Sequence, residues 1–219
     1  MQKIKEKLWN LRTFNNLLSV AVILVGLSLV ATPWIPNLEL WWDQQTKETP
    51  EYSSSLLTDA TAVVDDGELE TVVANEISVS YPQDNRLVIP SIALDTEFFE
   101  GGEWVLNQGP WKRPNTSTPD QGGNTVIAGH RFSYGSDGRW IFYHLDKIQP
   151  GERIGVYWQG DEYIYEVNGS QIVEPTAIEI EGPTDNDQLT LYTCTPLWTA
   201  AQRLVVTADL IKVNRASEV

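Results

Sequence analysis

"TLYTCTPLWTAAQRLVV", residues 190–206, decides how this chain is read. It holds Cys194, the single cysteine of 219 residues. In a strand, alternation puts Thr190, Tyr192 and Cys194 on one face, and Leu189, Leu191 and Thr193 on the other. Pro196 lacks an N–H for the ladder and ends the strand. Residues 195–202 then form a loop, and Arg203 opens the returning strand "RLVV". If the two strands pair antiparallel, Cys194 and Arg203 stand at the same end, with Cβ atoms about 4.5–5.5 Å apart. A guanidinium there favours a thiolate and stabilises a developing oxyanion. The same residues also have a plain reading. A lone Cys in an apolar strand is usually a small buried hydrophobe, and an Arg at a strand start is often a surface charge. Spacing alone leaves both open.

Working outward, short apolar runs bounded by Pro, Gly and Asn begin at Tyr81. "RLVIP" (86–90), "LDTEFF" (94–99), "NTVIAG" (124–129), "RIGVYW" (153–158), "YIYEV" (163–167), "QIVEP" (171–175), "LTLYTC" (189–194) and "RLVVTADLI" (203–211) read as strands. Pro150-Gly151, Gly160-Asp161 and Asn168-Gly169 read as turns, the last two as tight hairpins. "WIFYHLDKI" (140–148) reads as one short helix. The expectation is an all-β fold: a closed or nearly closed, antiparallel or mixed barrel of about eight strands with one or two short helices.

A thiol enzyme also needs a proton carrier, and the chain has two histidines. His130 ends "GNTVIAGH", where a strand gives way to polar sequence, and catalytic groups gather at such strand ends. His144 lies in "FYHLD" and reads as a packed or surface helix residue. One Cys excludes an intramolecular disulfide and a Cys-based zinc site, because both need partners.

The N-terminal part is built differently. "LLSVAVILVGLSLVATPWI", residues 17–35, carries no charge. As a helix it would span roughly 28 Å, close to the hydrocarbon thickness of a bilayer. Residues 1–16 hold Lys3, Lys5, Lys7 and Arg12 against Glu6, which places them in the cytoplasm and the remainder outside. A cleaved signal peptide is the alternative, with small residues at Val30-Ala31 but an unusually long apolar region. Residues 36–80, with ten acidic residues and only Lys47 basic, read as an extended acidic tether. The barrel is then expected over 81–215, with a tail at 216–219. The net charge of −15 is unevenly spread: residues 37–219 hold 11 Lys+Arg against 29 Asp+Glu, a balance of −18. So acidic a body repels phosphate backbones, so nucleic acid is no partner.

Several motifs together now carry a resemblance. "TLYTC", then eight residues, then Arg203 resembles the TLxTC-x8-R signature of sortases, the membrane-anchored cysteine transpeptidases of bacterial surfaces. "GGNTVIAGHR" (122–131) resembles the segment that carries their catalytic His. "RLVIPSIALDTEFFEG" (86–101) and "LDKIQPGERIGVY" (145–157) are similar to the opening strand pair and to the stretch before the middle strands. The likeness covers about residues 81–213, and a membrane span with a tether suits the family.

The resemblance implies that Cys194 is the nucleophile, His130 the general acid/base and Arg203 the group facing the scissile carbonyl. It implies an LPxTG-type sorting signal cut at Thr–Gly through a thioester. An amine acceptor, either a cell-wall peptide precursor or a protein lysine, then receives the secreted protein. Thr193, Thr195 and Trp198 are the candidate substrate-binding residues. Trp198 reads either as a wall for peptide or acceptor, or as packing of its loop onto the barrel. No Asp-Pro-aromatic lid motif is visible, which favours a housekeeping-like or class D/E/F-like member over the pilin type. "GPWKRP" (109–114) is expected to run along the barrel surface. No cofactor is implied; no calcium cluster stands out, although the many acidic residues leave Ca²⁺ open. Two rival functions stand beside this one: a cysteine peptidase hydrolysing the same bond, and a membrane-tethered, non-catalytic adhesion or scaffold module.

Overall fold

The computed structural model describes residues 16–28, 81–133 and 140–216, with single positions at 14, 38, 41, 42 and 45. The chain divides into two compact units, Met1–Thr46 and Lys47–Val219. In the first, residues 16–28 are helical. The helix expected over 17–35 is thus described only through Ser28, and among the described residues no helix is long and apolar enough to cross a membrane. Apart from a few single positions, the expected cytoplasmic segment, tether and C-terminal tail lie outside the described residues.

Among its described residues the second unit carries eight strands: β1 (Arg86–Ile89), β2 (Leu94–Glu97), β3 (Trp111–Lys112), β4 (Asn124–Ala128), β5 (Arg153–Trp158), β6 (Asp161–Val173), β7 (Gln188–Thr195) and β8 (Gln202–Asn214). They form one sheet in the order β2-β1-β5-β6-β8-β7-β4-β3. Only β4 and β7 pair parallel; every other neighbouring pair is antiparallel. The sheet curls until its edges touch at a parallel bridge between Phe99 and Trp111. There Phe99 N donates to the Pro110 carbonyl and Lys112 N to the Phe99 carbonyl, each at 2.9 Å. This is the mixed, nearly closed barrel expected from the strand pattern.

Period-two alternation fills the interior. Leu189 and Leu191 of β7 point inward with Val206 and Ala208 of β8, all completely buried. Ile127, Ile154, Val156 and Leu87 meet them from β4, β5 and β1. Each fully buried Leu or Ile contributes about 2 kcal/mol of transfer free energy.

Four local expectations change. Asn168-Gly169 makes no hairpin: β6 runs through it as one strand, with a register shift against β8 at Val167/Gly169. A bulge uses the same Asn-Gly chemistry as a turn, and the Asn168 side chain accepts from the Thr207 hydroxyl across it. The β5–β6 hairpin turns on Gln159-Gly160, one residue earlier than read, with φ of 52° and 88° at its two centres. Residues 140–148 form no α-helix. Phe142 N donates to the His130 carbonyl, and only a 3₁₀ turn at Leu145–Lys147 follows. Finally, the 109–114 segment is not superficial, because Trp111 and Lys112 are each only 6% exposed in β3.

Candidate active site

The site grows from three adjacent strands. β7 and β8 pair so that Cys194 and Arg203 are register partners, with Thr195 opposite Gln202 next to them. β4 runs parallel to β7 at a constant offset of 64 positions, from Asn124 beside Gln188 to Ala128 beside Tyr192. The ladder continues past β4, where Gly129 N donates to the Tyr192 carbonyl at 3.1 Å. Cys194 and Arg203 therefore stand opposite each other on β7 and β8, on the face turned away from the core, and His130, two residues past the end of β4, follows level with Cys194 by the same offset.

Each position is held by its neighbours. Thr193 is 1% exposed on the inner face, and its hydroxyl donates to the Gly129 carbonyl at 2.8 Å. Thr193 thus acts on the backbone that carries His130 instead of facing outward with Cys194. On the other side of the exit, Phe142 N donates to the His130 carbonyl at 2.9 Å, and Arg131 Nη2 pairs with Asp146 at 3.0 Å. Gly129 is required here, since a Cβ would lie 2.7 Å from the Phe142 ring. Arg203 is fixed by its own loop: Nη1 donates to the carbonyls of Ala200 (3.2 Å) and Gln202 (3.0 Å). Nε and Nη2 are its remaining donors. Cys194 itself is half-buried and reduced.

Around these residues, Trp198 is 73% exposed, and its ring lies 5.2 Å from that of Phe132 at 60°. The loop after Cys194 and the loop after His130 thus meet through one aromatic pair. Thr195 is half-buried at the end of β7. His144 is 6% exposed and sits edge-on to Tyr143.

Below Cys194 and Arg203, the outer face continues through Ala128, Tyr192 and Val205. The Tyr192 hydroxyl donates to Glu181 Oε1 at 2.7 Å, and Arg113 Nε donates to the same oxygen at 2.8 Å. Burial, followed by the Glu181 carboxylate, pushes the Tyr192 phenol well above its ordinary range, against smaller opposing effects of Arg113 and Arg203. Arg113 also stacks over Trp111, 4.1 Å from its ring centre. Sequence reading placed Tyr192 on the Cys194 face but missed Glu181, Arg113 and Phe132. Their partners lie up to 68 positions away, and no local pattern announces them.

A nearly closed mixed barrel that sets a cysteine opposite an arginine at one strand end, with a histidine just past the neighbouring parallel strand, defines a specific class of fold and site. The sortase domain family matches residues 87–211, and the chain belongs to the sortase family. It is 28% identical to sortase A of Bacillus anthracis over 127 residues, which are 58% of this chain and 59% of that protein. The chain spans less than two thirds of that relative's length. Sortase SrtE1 of Streptomyces coelicolor is 28% identical over 113 residues, covering 47% of this chain and 31% of that protein. Among solved structures, sortase A from Corynebacterium diphtheriae superposes with a TM-score of 0.55 at 25% identity, covering 62% of this chain and 64% of that one.

Proposed function

We propose that this protein is a sortase-type cysteine transpeptidase, anchored in the cell membrane through residues 17–35 with its barrel outside the cell. The observation that carries the proposal is the pairing of Cys194 with Arg203 across β7 and β8, with His130 two residues past the end of the neighbouring parallel strand β4. The Cys194 thiolate attacks the Thr carbonyl of an LPxTG-like sorting signal. The free N–H groups of Arg203 receive the developing oxyanion. His130 gives its proton to the departing Gly amine as the C–N bond breaks, leaving a thioester on Cys194. An acceptor amine then attacks the thioester and loses a proton to His130, and the thiolate leaves. A cell-wall peptide precursor or a protein lysine supplies that amine, and the substrates are secreted proteins that carry the signal. The uncharged helix at 16–28 is the described part of the proposed anchor.

The test is the full chain in detergent, given a panel of LPxTG-like peptides and an amine. A ligated product and a Cys194 thioester trapped by mass spectrometry are expected. Hydrolysis that persists at high amine concentration would convert the reading to a peptidase. A native Cys194 that resists iodoacetamide, with no thioester across the panel, would end it.

A further inference from the structure

Arg131 follows His130 directly, and its guanidinium is placed in a way that stability alone does not explain. The side chain is only 11% exposed, and Nη2 reaches Asp146 Oδ1 at 3.0 Å in the 3₁₀ turn Leu145–Lys147. Nε and Nη1 are buried too, and neither has a hydrogen-bond partner among the described residues. Lys147 approaches the other oxygen of Asp146 only at 3.7 Å, from an exposed position. A buried cation that leaves two N–H groups unmet costs free energy, and an apolar pair of similar size is often neutral or stabilising in its place. What the ion pair does supply is position. It ties the residue after His130 to the segment whose Phe142 N donates to the His130 carbonyl at 2.9 Å. With the Thr193 hydroxyl on the Gly129 carbonyl, the backbone is held before, at and after His130.

We infer that Arg131 is a positioning residue which, with Asp146, fixes the His130 backbone so that the imidazole meets the departing amine. The inference rests on the transpeptidase reading for which proton is moved, but the hold on residues 129–131 is independent of it. When a peptide acylates Cys194, the C–N bond breaks as the Gly nitrogen takes a proton from His130. A thioester substrate behaves differently. Cys194 attacks the same carbonyl, the C–S bond breaks, and the sulfur leaves as a thiolate with no proton required. Loosening His130 therefore slows the peptide and spares the thioester. A misplacement of about 1 Å can cost about 10²-fold in such a step. Asp146 engages only one guanidinium nitrogen, so an ammonium in place of Arg131 still makes that contact.

The experiment uses the full chain in detergent, as wild type, Arg131→Lys, Asp146→Asn, and Arg131→Met combined with Asp146→Leu. Single-turnover formation of the Cys194 thioester is followed with an LPxTG-like peptide and with a thioester of the same acyl part. In the apolar double variant the peptide rate should fall about 10²-fold, while the thioester rate and the alkylation of Cys194 change by less than about threefold. Its denaturation midpoint should hold or rise. Amide hydrogen exchange at 129–131 should quicken about tenfold. Arg131→Lys should stay within about threefold of wild type with both substrates. Asp146→Asn should show the same split between substrates, and it decides the matter if the double variant does not fold. Equal losses on both substrates with a lowered midpoint make the pair a plain stability element and overturn the inference. An unchanged peptide rate, or unchanged exchange, overturns it as well. If neither substrate acylates wild type, the transpeptidase reading fails, and exchange at 129–131 alone decides whether the positioning stands.

Discussion

Cys194 and Arg203 are register partners across β7 and β8, and Arg203 Nη1 donates to two backbone carbonyls, that of Ala200 in the loop between them and that of Gln202 at the start of β8. The guanidinium is thus held before any substrate arrives, with Nε and Nη2 as its remaining donors. Replacing it with an ammonium would keep the charge but lose the planar fork that divides its donors between loop and substrate. Arg203→Ala should lower kcat/KM by about 10²- to 10³-fold, and Arg203→Lys should recover little of that loss. Single-turnover thioester formation followed by mass spectrometry measures both. A Lys variant close to wild type would mean that charge alone suffices.

Thr193→Val offers a sharper test of what orders the site. The swap keeps volume and removes the donor to the buried Gly129 carbonyl, which should cost about 1–3 kcal/mol of stability. Turnover should fall as well, because Gly129 precedes His130, and Thr193→Ser should restore both. If Thr193 served the substrate instead, Val would raise KM and leave the denaturation midpoint unmoved.

Much of this architecture was legible in sequence, and the exceptions have physical causes. Alternation in "LTLYTC" placed Thr193 and Cys194 on opposite faces, and the nine-residue step to Arg203 gave the antiparallel partner. Hairpin logic works there because the partner is local. The parallel pairing of β4 with β7 has no such local mark, so the level of His130 relative to Cys194 emerges only from the ladder. Asn168-Gly169 misled because positive-φ chemistry suits bulges and hairpins alike. Residues 140–148 misled because tertiary bonding to the His130 carbonyl took Phe142 N away from a helix. The contacts of Glu181 with Tyr192 and Arg113 join segments that no periodicity connects.

Alkaline pH gives a third test. Burial raises the phenols of both Tyr165 and Tyr192 above their ordinary value in the folded state. The unfolded chain ionises these groups first, near pH 10. Their contribution to stability is therefore complete below about pH 10 and is lost as pH climbs from there toward the raised folded values. Thermal denaturation midpoints should hold up to about pH 9.5 and then decline, with a shallower decline in Tyr192→Phe. An equal slope in that variant would show that Tyr192 ionises without cost in the fold.

The Trp198–Phe132 pair links the loops after Cys194 and His130, and its effect should be on turnover more than on stability. Trp198 is largely exposed, so Trp198→Ala should change unfolding free energy by no more than about 1 kcal/mol. The loops after Cys194 and His130 would lose their link, and transpeptidation should drop severalfold. Phe132→Ala should match it, and the double variant should be no worse than either single one. Additive losses would instead show that each ring contacts the substrate separately.

Divalent cations provide the last test, and Glu181 is the reason. Glu181 is a carboxylate on the segment before β7, and an added cation would have to compete with its present partners. Here Oε1 already receives Arg113 and Tyr192, and Asn124 holds the backbone on both sides. A permanent guanidinium supplies the positive charge at no dependence on cation concentration. Transpeptidation in EDTA should therefore equal that in millimolar Ca²⁺ to within about twofold. Arg113→Met removes the built-in cation and leaves the Glu181 charge uncompensated. That variant should show a raised KM, and added Ca²⁺ should lower it only if Glu181 can then bind the ion. A wild-type rate that rises about tenfold with Ca²⁺ would place a functional cation elsewhere on this acidic chain.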